Sequence, residues 1–203
     1  MYKRVLSLCL VVLVVALMLA APSFAGANSH LKVAIHMKTH GACKQRPTLT
    51  WCGDIYPQYA GCADTDALPV FYNLTEYTSV EFGMTWPAEW GTSSWMICWG
   101  SEGIGGIIDP GDGTRVQWST CQTDWYVIPG MAWLYTSTPG HIRIVPNPAT
   151  GNLGVFDCSE TPGPQMDSPI GIFRGGACGA QGDDPCSYAT EPTTWGSIKA
   201  MVR

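Results

Sequence analysis

Eight cysteines, at Cys43, Cys52, Cys62, Cys98, Cys121, Cys158, Cys178 and Cys186, follow an N-terminal stretch that reads as an export signal, while the ninth, Cys9, lies inside it. Removal of the signal turns an odd set into an even one. An even set in an exported chain reads as a disulfide framework, because oxidising compartments let thiols pair and leave none over to react. Cys98 and Cys121 flank two strands and a turn and are expected to pair. Cys178 and Cys186 are expected to close a small Gly- and Asp-rich loop, leaving Cys43, Cys52, Cys62 and Cys158 for two further bridges.

The signal has three parts: Lys3 and Arg4, an apolar run over 5–21, and Ser23-Phe24-Ala25, a small-x-small site that predicts a mature start at Gly26. Pro22 and Ser23 end the run with a cleavage site, whereas a retained anchor would end it with a cationic stop. No later stretch is apolar enough to cross a bilayer. The expected location is outside the cytoplasm: secreted, periplasmic or at the cell surface.

Cleavage takes 25 of the 203 residues, including Lys3 and Arg4, so nine of the 11 Lys and Arg remain against 16 Asp and Glu, a net charge of −7. One acidic domain is left. It offers no electrostatic footprint for phosphate backbones or anionic lipid, which argues against a nucleic-acid partner. Charged residues make up only 13% of the chain while Gly, Pro and Trp abound, a composition of compact, turn-rich structure and not of disorder.

Leu31, Val33, Ile35 and Met37 alternate with Lys32, Ala34, His36 and Lys38, a period of two that predicts a first strand with one apolar and one polar face. Further strands are predicted at 69–74, 80–86, 103–108, 114–120, 125–128 and 131–135, with 140–145 pairing 152–158 across Pro146-Asn147-Pro148. No helical period persists between Leu31 and Cys158. The reading is an antiparallel β-sandwich of eight or nine short strands over 26–158, with a cysteine-rich insertion at 39–67. Residues 159–203 read as a loop-rich disulfide segment, ending in a short helix capped by Thr193 or Thr194.

Trp86, Trp90, Trp95 and Trp99 form the most conspicuous cluster. Buried, such rings fill a small sandwich; exposed, they stack on sugar rings. Trp90 and Trp95, in the stretch after Pro87, are the candidate ligand-binding residues. His30, His36 and His40 suggest a metal site only if the chain turns at Thr39, since residues four apart on a strand are ~13 Å apart. The acidic turns at Asp64-Thr65-Asp66, 109–113 and Asp183-Asp184 lack the ligand pattern of a calcium loop. The expectation is therefore no metal and no cofactor.

Catalytic signatures are sparse: there is no Gly-x-Ser-x-Gly elbow and no His-Glu-x-x-His. His141 or His36 with a serine and an aspartate, or Glu81 with Glu89 or Asp112, are what a hydrolase would have to use.

Four blocks, Val80-Glu81-Phe82-Gly83-Met84-Thr85-Trp86-Pro87, Pro110-Gly111-Asp112-Gly113, Gly182-Asp183-Asp184-Pro185-Cys186 and the ending Glu191-Pro192-Thr193-Thr194-Trp195-Gly196-Ser197-Ile198-Lys199-Ala200, resemble those of a group of uncharacterised secreted bacterial proteins. The resemblance implies no activity or substrate. More loosely, the strand order with a Trp-Pro bend is similar to cohesin-type and other immunoglobulin-like sandwiches, a likeness of fold that does not assign function. The resulting expectation is a monomeric, exported, disulfide-rich binding or structural module whose partner is an extracellular glycan or protein; the alternative is a secreted hydrolase.

Overall fold

A computed structural model describes residues 26–41, 46–97, 102–103, 112–159 and 163–187. The expected signal, Cys43, Cys98, the turn at 109–111 and the terminal helix lie outside the described residues.

In chain order the strands are β1 (Lys32–Thr39), β2 (Gln58–Tyr59), β3 (Asp64–Tyr72), β4 (Tyr77–Thr85), β5 (Gly91–Ile97), β6 (Glu102–Gly103) and β7 (Thr114–Gln122), followed by β8 (Tyr126–Val127), β9 (Gly130–Tyr135), β10 (Gly140–Val145), β11 (Gly154–Phe156), β12 (Met166–Asp167), β13 (Gly171–Phe173) and β14 (Gly175–Ala177). One sheet has the order β13-β1-β3-β9-β5, with β8 also on β3. The other runs β12-β11-β4-β10-β14-β2, with β7 on β4 and β6 on β7. Both sheets are mixed, because β13 runs parallel to β1 and β2 parallel to β14. This corrects the expectation of a purely antiparallel sandwich. The parallel partners come from 159–187, whose sequence has no period and predicts loop, and from the cysteine-rich insertion, for which no strand is predicted.

The two sheets enclose a common apolar core, the arrangement of a β-sandwich. Val33, Ile35 and Met37 of β1, Phe71 of β3 and Trp95 of β5 meet Phe82 and Met84 of β4, Val116 of β7 and Ile142 of β10. Phe82 anchors the contact, its ring 5.5 Å from Phe71 and 5.9 Å from Trp95 across the sandwich. Each such side chain, fully buried, contributes about 1.5–3 kcal/mol.

The first sheet is buried on its other face too. Ala34, Leu68, Val70, Tyr72 and Met131 pack there against Leu49, Ile55 and Phe173. The polar face expected for β1 is therefore covered, and His36 is buried. What covers it is the cysteine-rich insertion, which carries a 3-10 turn (Cys52–Asp54) and whose Leu49 and Ile55 plug the sheet surface.

Two other expectations change. The segment 91–97, for which the sequence predicts no strand, is a strand paired with β9. The expected hairpin between 140–145 and 152–158 does not form, since β10 and β11 both pair with β4: Val145 lies opposite Gly83 and Gly154 opposite Glu81. The excursion at 146–153 contains Pro146 and Pro148, which lack the N–H a ladder needs. It is tied instead to the buried Glu81 carboxylate, which accepts hydrogen bonds from Asn147 Nδ2 at 3.0 Å, Asn152 Nδ2 at 3.3 Å and Thr150 Oγ1.

Three disulfides are described: Cys52–Cys186, Cys62–Cys178 and Cys121–Cys158, spanning sequence separations of 134, 116 and 37. Both expected pairs are thereby overturned, because Cys121 bonds Cys158 and not Cys98, and Cys178 and Cys186 each bond the insertion and not one another. The bridges fasten elements remote in sequence. No helix among the described residues is long and apolar enough to cross a membrane.

Candidate functional site

Between β1 and the 46–56 part of the insertion lies a cleft of about 530 Å³. Its floor is the outer face of β1, where His36 and Lys38 follow one another at the two-residue strand period. Its wall is the 46–56 segment, which contributes Arg46, Thr48, Thr50, Asp54 and Tyr56.

The wall is held from several sides. Met37 N–H donates to Tyr56 O at 2.7 Å, and Tyr56 N–H donates to His36 Nδ1 at 3.2 Å, so the end of the wall is stitched to β1. Tyr126 Oη–H donates to Pro47 O at 3.1 Å, and the Arg46 guanidinium lies 5.0 Å from the Tyr126 ring centroid. Asp54 closes the 3-10 turn by accepting from Thr50 N–H and Oγ1–H, both at 2.7 Å, and from Trp51 N–H at 3.3 Å. These bonds, the Thr50 side chain first, hold the Asp54 carboxyl below its ordinary range. The Cys52–Cys186 bridge then ties the turn to the C-terminal segment, itself held where Tyr72 Oη–H donates to Pro185 O at 2.6 Å.

This construction leaves two aromatic rings in solvent. Tyr56, 65% exposed, lines the cleft beside hydroxyls, two cations, a carboxylate, the His36 ring and the apolar Pro47 and Leu49; Trp51, 60% exposed, is the residue after the cleft's Thr50. The Trp51 ring lies along the Cα of Gly53, where a Cβ would overlap the indole. Glycine at 53 thus leaves the room that the ring occupies.

His36 is the buried titratable group of the floor. Burial first, and Lys38 second, push its pKa down from 6.5 to about 4. An Nδ1 that accepts a backbone N–H leaves the ring proton on Nε2, so His36 stands as a neutral donor. The unfolded chain takes up this proton near pH 6.5 and the folded one only near 4. The stability that neutral His36 contributes is therefore complete above pH ~6.5 and lost as pH falls towards 4. Chemical denaturation across this range should show a loss on the order of 2–3 kcal/mol that His36→Asn removes; identical pH profiles for the two proteins would contradict it.

The other candidate residues fall elsewhere. Trp90 and Trp95 are each only 4% exposed and belong to the core between the sheets, so their reading as exposed ligand-binding residues is corrected. Trp95 alternates inward on β5, and Trp90 Nε1–H donates to Thr138 O at 2.9 Å. His30, His36 and His40 do not converge on a common ion position among the described residues. The one acid and sulfur group of metal-binding spacing there is Glu76 with Cys121 and Cys158, whose sulfurs are joined to each other. Asp183 pairs with Arg174 at 2.9 Å, and Asp184 Oδ1 accepts from Cys186 N–H, which is turn chemistry. Of the proposed glycosidase carboxylates, Glu81 is enclosed by the 146–153 excursion, and Glu89, exposed, accepts from Thr138 Oγ1–H.

A His–Asp pair that is not evident from the sequence stands beyond the end of β1. Asp66, fully buried on β3, lies 2.7 Å from His40 Nδ1 and accepts Gly41 N–H at 2.9 Å, with Lys38 Nζ at 3.8 Å. The His40 ring stacks on Trp133 at 4.1 Å and 9°. The cross-strand pairing of Lys38 with Asp66 would have pointed to it. Among the described residues no hydroxyl bonds the other His40 nitrogen, and His141 Nδ1 is buried without a hydrogen-bond partner.

No family model matches the chain, and neither a curated protein nor a solved structure does.

Proposed function

We propose that this chain is an exported, monomeric, disulfide-stapled binding module that takes a hydroxyl-rich ligand, an extracellular glycan, in the cleft between β1 and the 46–56 wall. The observation that carries this reading is the exposure of Tyr56, which lines a largely polar cleft, and of Trp51, the residue after the cleft's Thr50. A sugar ring presents axial C–H groups to a flat aromatic face and hydroxyls to neighbouring polar groups. Trp51 and Tyr56 are suited to the first task, and Thr48, Thr50, Lys38, Arg46 and Asp54 to the second. An immunoglobulin- or cohesin-like type for the sandwich, and kinship with secreted bacterial proteins, belong to the same proposal. Three disulfides are compatible with an oxidising compartment.

The test is a glycan-array screen of the exported protein, followed by affinity measurements on Trp51→Ala and Tyr56→Ala. Each substitution should weaken binding about tenfold or more, the equivalent of ~1.4 kcal/mol, with little change in melting temperature because both rings are largely in solvent. Unchanged affinity in both variants would remove the cleft as the binding site.

A second reading, a secreted hydrolase, has one observation in its favour: the buried Asp66 orienting a half-buried His40. Such a pair supplies the general base of a hydrolytic site but needs a nucleophile or an activated water beside it. Substrate turnover lost in His40→Gln, with ligand binding retained, would move the assignment there.

A further inference from the structure

The expected processing point at Gly26 falls beside a buried carboxylate. Asp167, at the end of β12, is only 9% exposed. Its Oδ2 accepts from Asn28 N–H at 2.9 Å and from Asn28 Nδ2–H at 3.0 Å. Its Oδ1 accepts nothing among the described residues and faces Gly26, where any side chain would overlap the carboxylate. Asn28 is itself fixed: Nδ2–H donates to Glu76 O at 2.8 Å, and Oδ1 accepts the N–H groups of Thr75 at 2.9 Å and Glu76 at 3.3 Å. The chain entering β1 is thereby held with Gly26 against Oδ1. Glycine at this position permits that approach, and its nitrogen is one bond from the Cα that makes it.

We propose that Asp167 is the binding site for the chain's own processed amino terminus: cleavage of the Ala25–Gly26 bond frees an α-ammonium that pairs with Asp167 Oδ1. Hydrolysis of that peptide bond by a signal peptidase consumes one water, leaving a carboxylate on Ala25 and an amine on Gly26 that is protonated at neutral pH. A peptide nitrogen offers a single, fixed donor. The ammonium offers three and a positive charge to a carboxylate only 9% exposed, so Asp167 Oδ1 gains a charged partner only after processing. The export signal and the mature fold are in this way linked, since the precursor lacks a contact that the product has.

The inference rests on the reading of 1–25 as a cleaved signal, so the experiment separates the two. Exported protein is compared with a variant carrying Gly-Ser inserted between Ala25 and Gly26, each alone and with Asp167→Asn, after intact mass has fixed every N-terminus. The extension should lower the melting temperature by about 2–4 °C in the wild-type background and leave it unchanged with Asp167→Asn. The α-amine of the wild-type protein should also react with an acylating reagent at pH 7 about tenfold more slowly than that of the extended chain, because pairing holds its proton. The labelling comparison stands even where Asp167→Asn fails to fold. A mature start elsewhere than Gly26 overturns the processing reading. A confirmed Gly26 start with equal melting temperatures and equal labelling rates overturns the pairing itself.

Discussion

Trp95→Ala should destabilise the protein by about 3–5 kcal/mol, the usual result of truncating a large buried aromatic residue, and should leave the affinity of the remaining folded protein for its ligand unchanged. The ring is 4% exposed and joins the sheets, since it extends from β5 of one and packs edge-on against Phe82 of the other at 5.9 Å. Its removal leaves a cavity that strands locked in two ladders relax only in part. Trp95→Phe should recover part of the loss. For a domain of this size the alanine variant should melt roughly 10 °C lower, by the usual ~2–4 °C per kcal/mol. A near-native melting temperature for Trp95→Ala would contradict the placement of this ring in the core. Trp90→Ala should behave similarly, with the lost bond to Thr138 O adding to the cost.

Removal of the Cys52–Cys186 bridge by replacing both residues with Ser should have the second large effect, and it should reach the cleft as well as the fold. The bridge closes a separation of 134 residues, so its loss frees much unfolded-state entropy. The other described bridges already shorten the effective loop, which puts the expected cost at about 3–4 kcal/mol. Cys52 begins the 3-10 turn that Asp54 caps, and Trp51 stands immediately before it. Ligand affinity measured well below the melting temperature should therefore fall too, as the wall loses its anchor to the Pro185 segment. Loss of stability with full retention of affinity would show that β1 alone positions the wall.

How much of this was legible in the residues depended on the range of the interaction. Alternation at Leu31, Val33, Ile35 and Met37 located β1, because a period of two is written locally. The same alternation predicted a solvated second face, and that failed: Leu49 and Ile55, which cover it, come from an insertion without period. The strand β5 was missed because Gly91 and Ser94 dilute its pattern, while its pairing with β9 is supplied by tertiary structure. Cysteine spacing favoured short loops, whereas partners are set by which segments the sheets bring together, Cys52 with Cys186 and Cys62 with Cys178. Trp90 and Trp95 drew attention through clustering, yet exposure is a property of the assembled sandwich. Trp51 and Tyr56, both left in solvent, sit one on either side of a capped turn. Thr50-Trp51-Cys52-Gly53-Asp54 carries the one local hint of it, a carboxylate four residues after a threonine with glycine between.

The central claim, that the exposed rings beside the β1 cleft form the binding surface, is tested most directly by observing the tryptophans one by one. The indole Nε1–H signals of the isotope-labelled protein can be followed during titration with the tightest glycan from the array. The signal of Trp51 should shift with a saturable dependence on ligand, and those of Trp90 and Trp95, enclosed between the sheets, should stay in place. Saturable shifts at Trp90 or Trp95 with Trp51 unmoved would contradict the account.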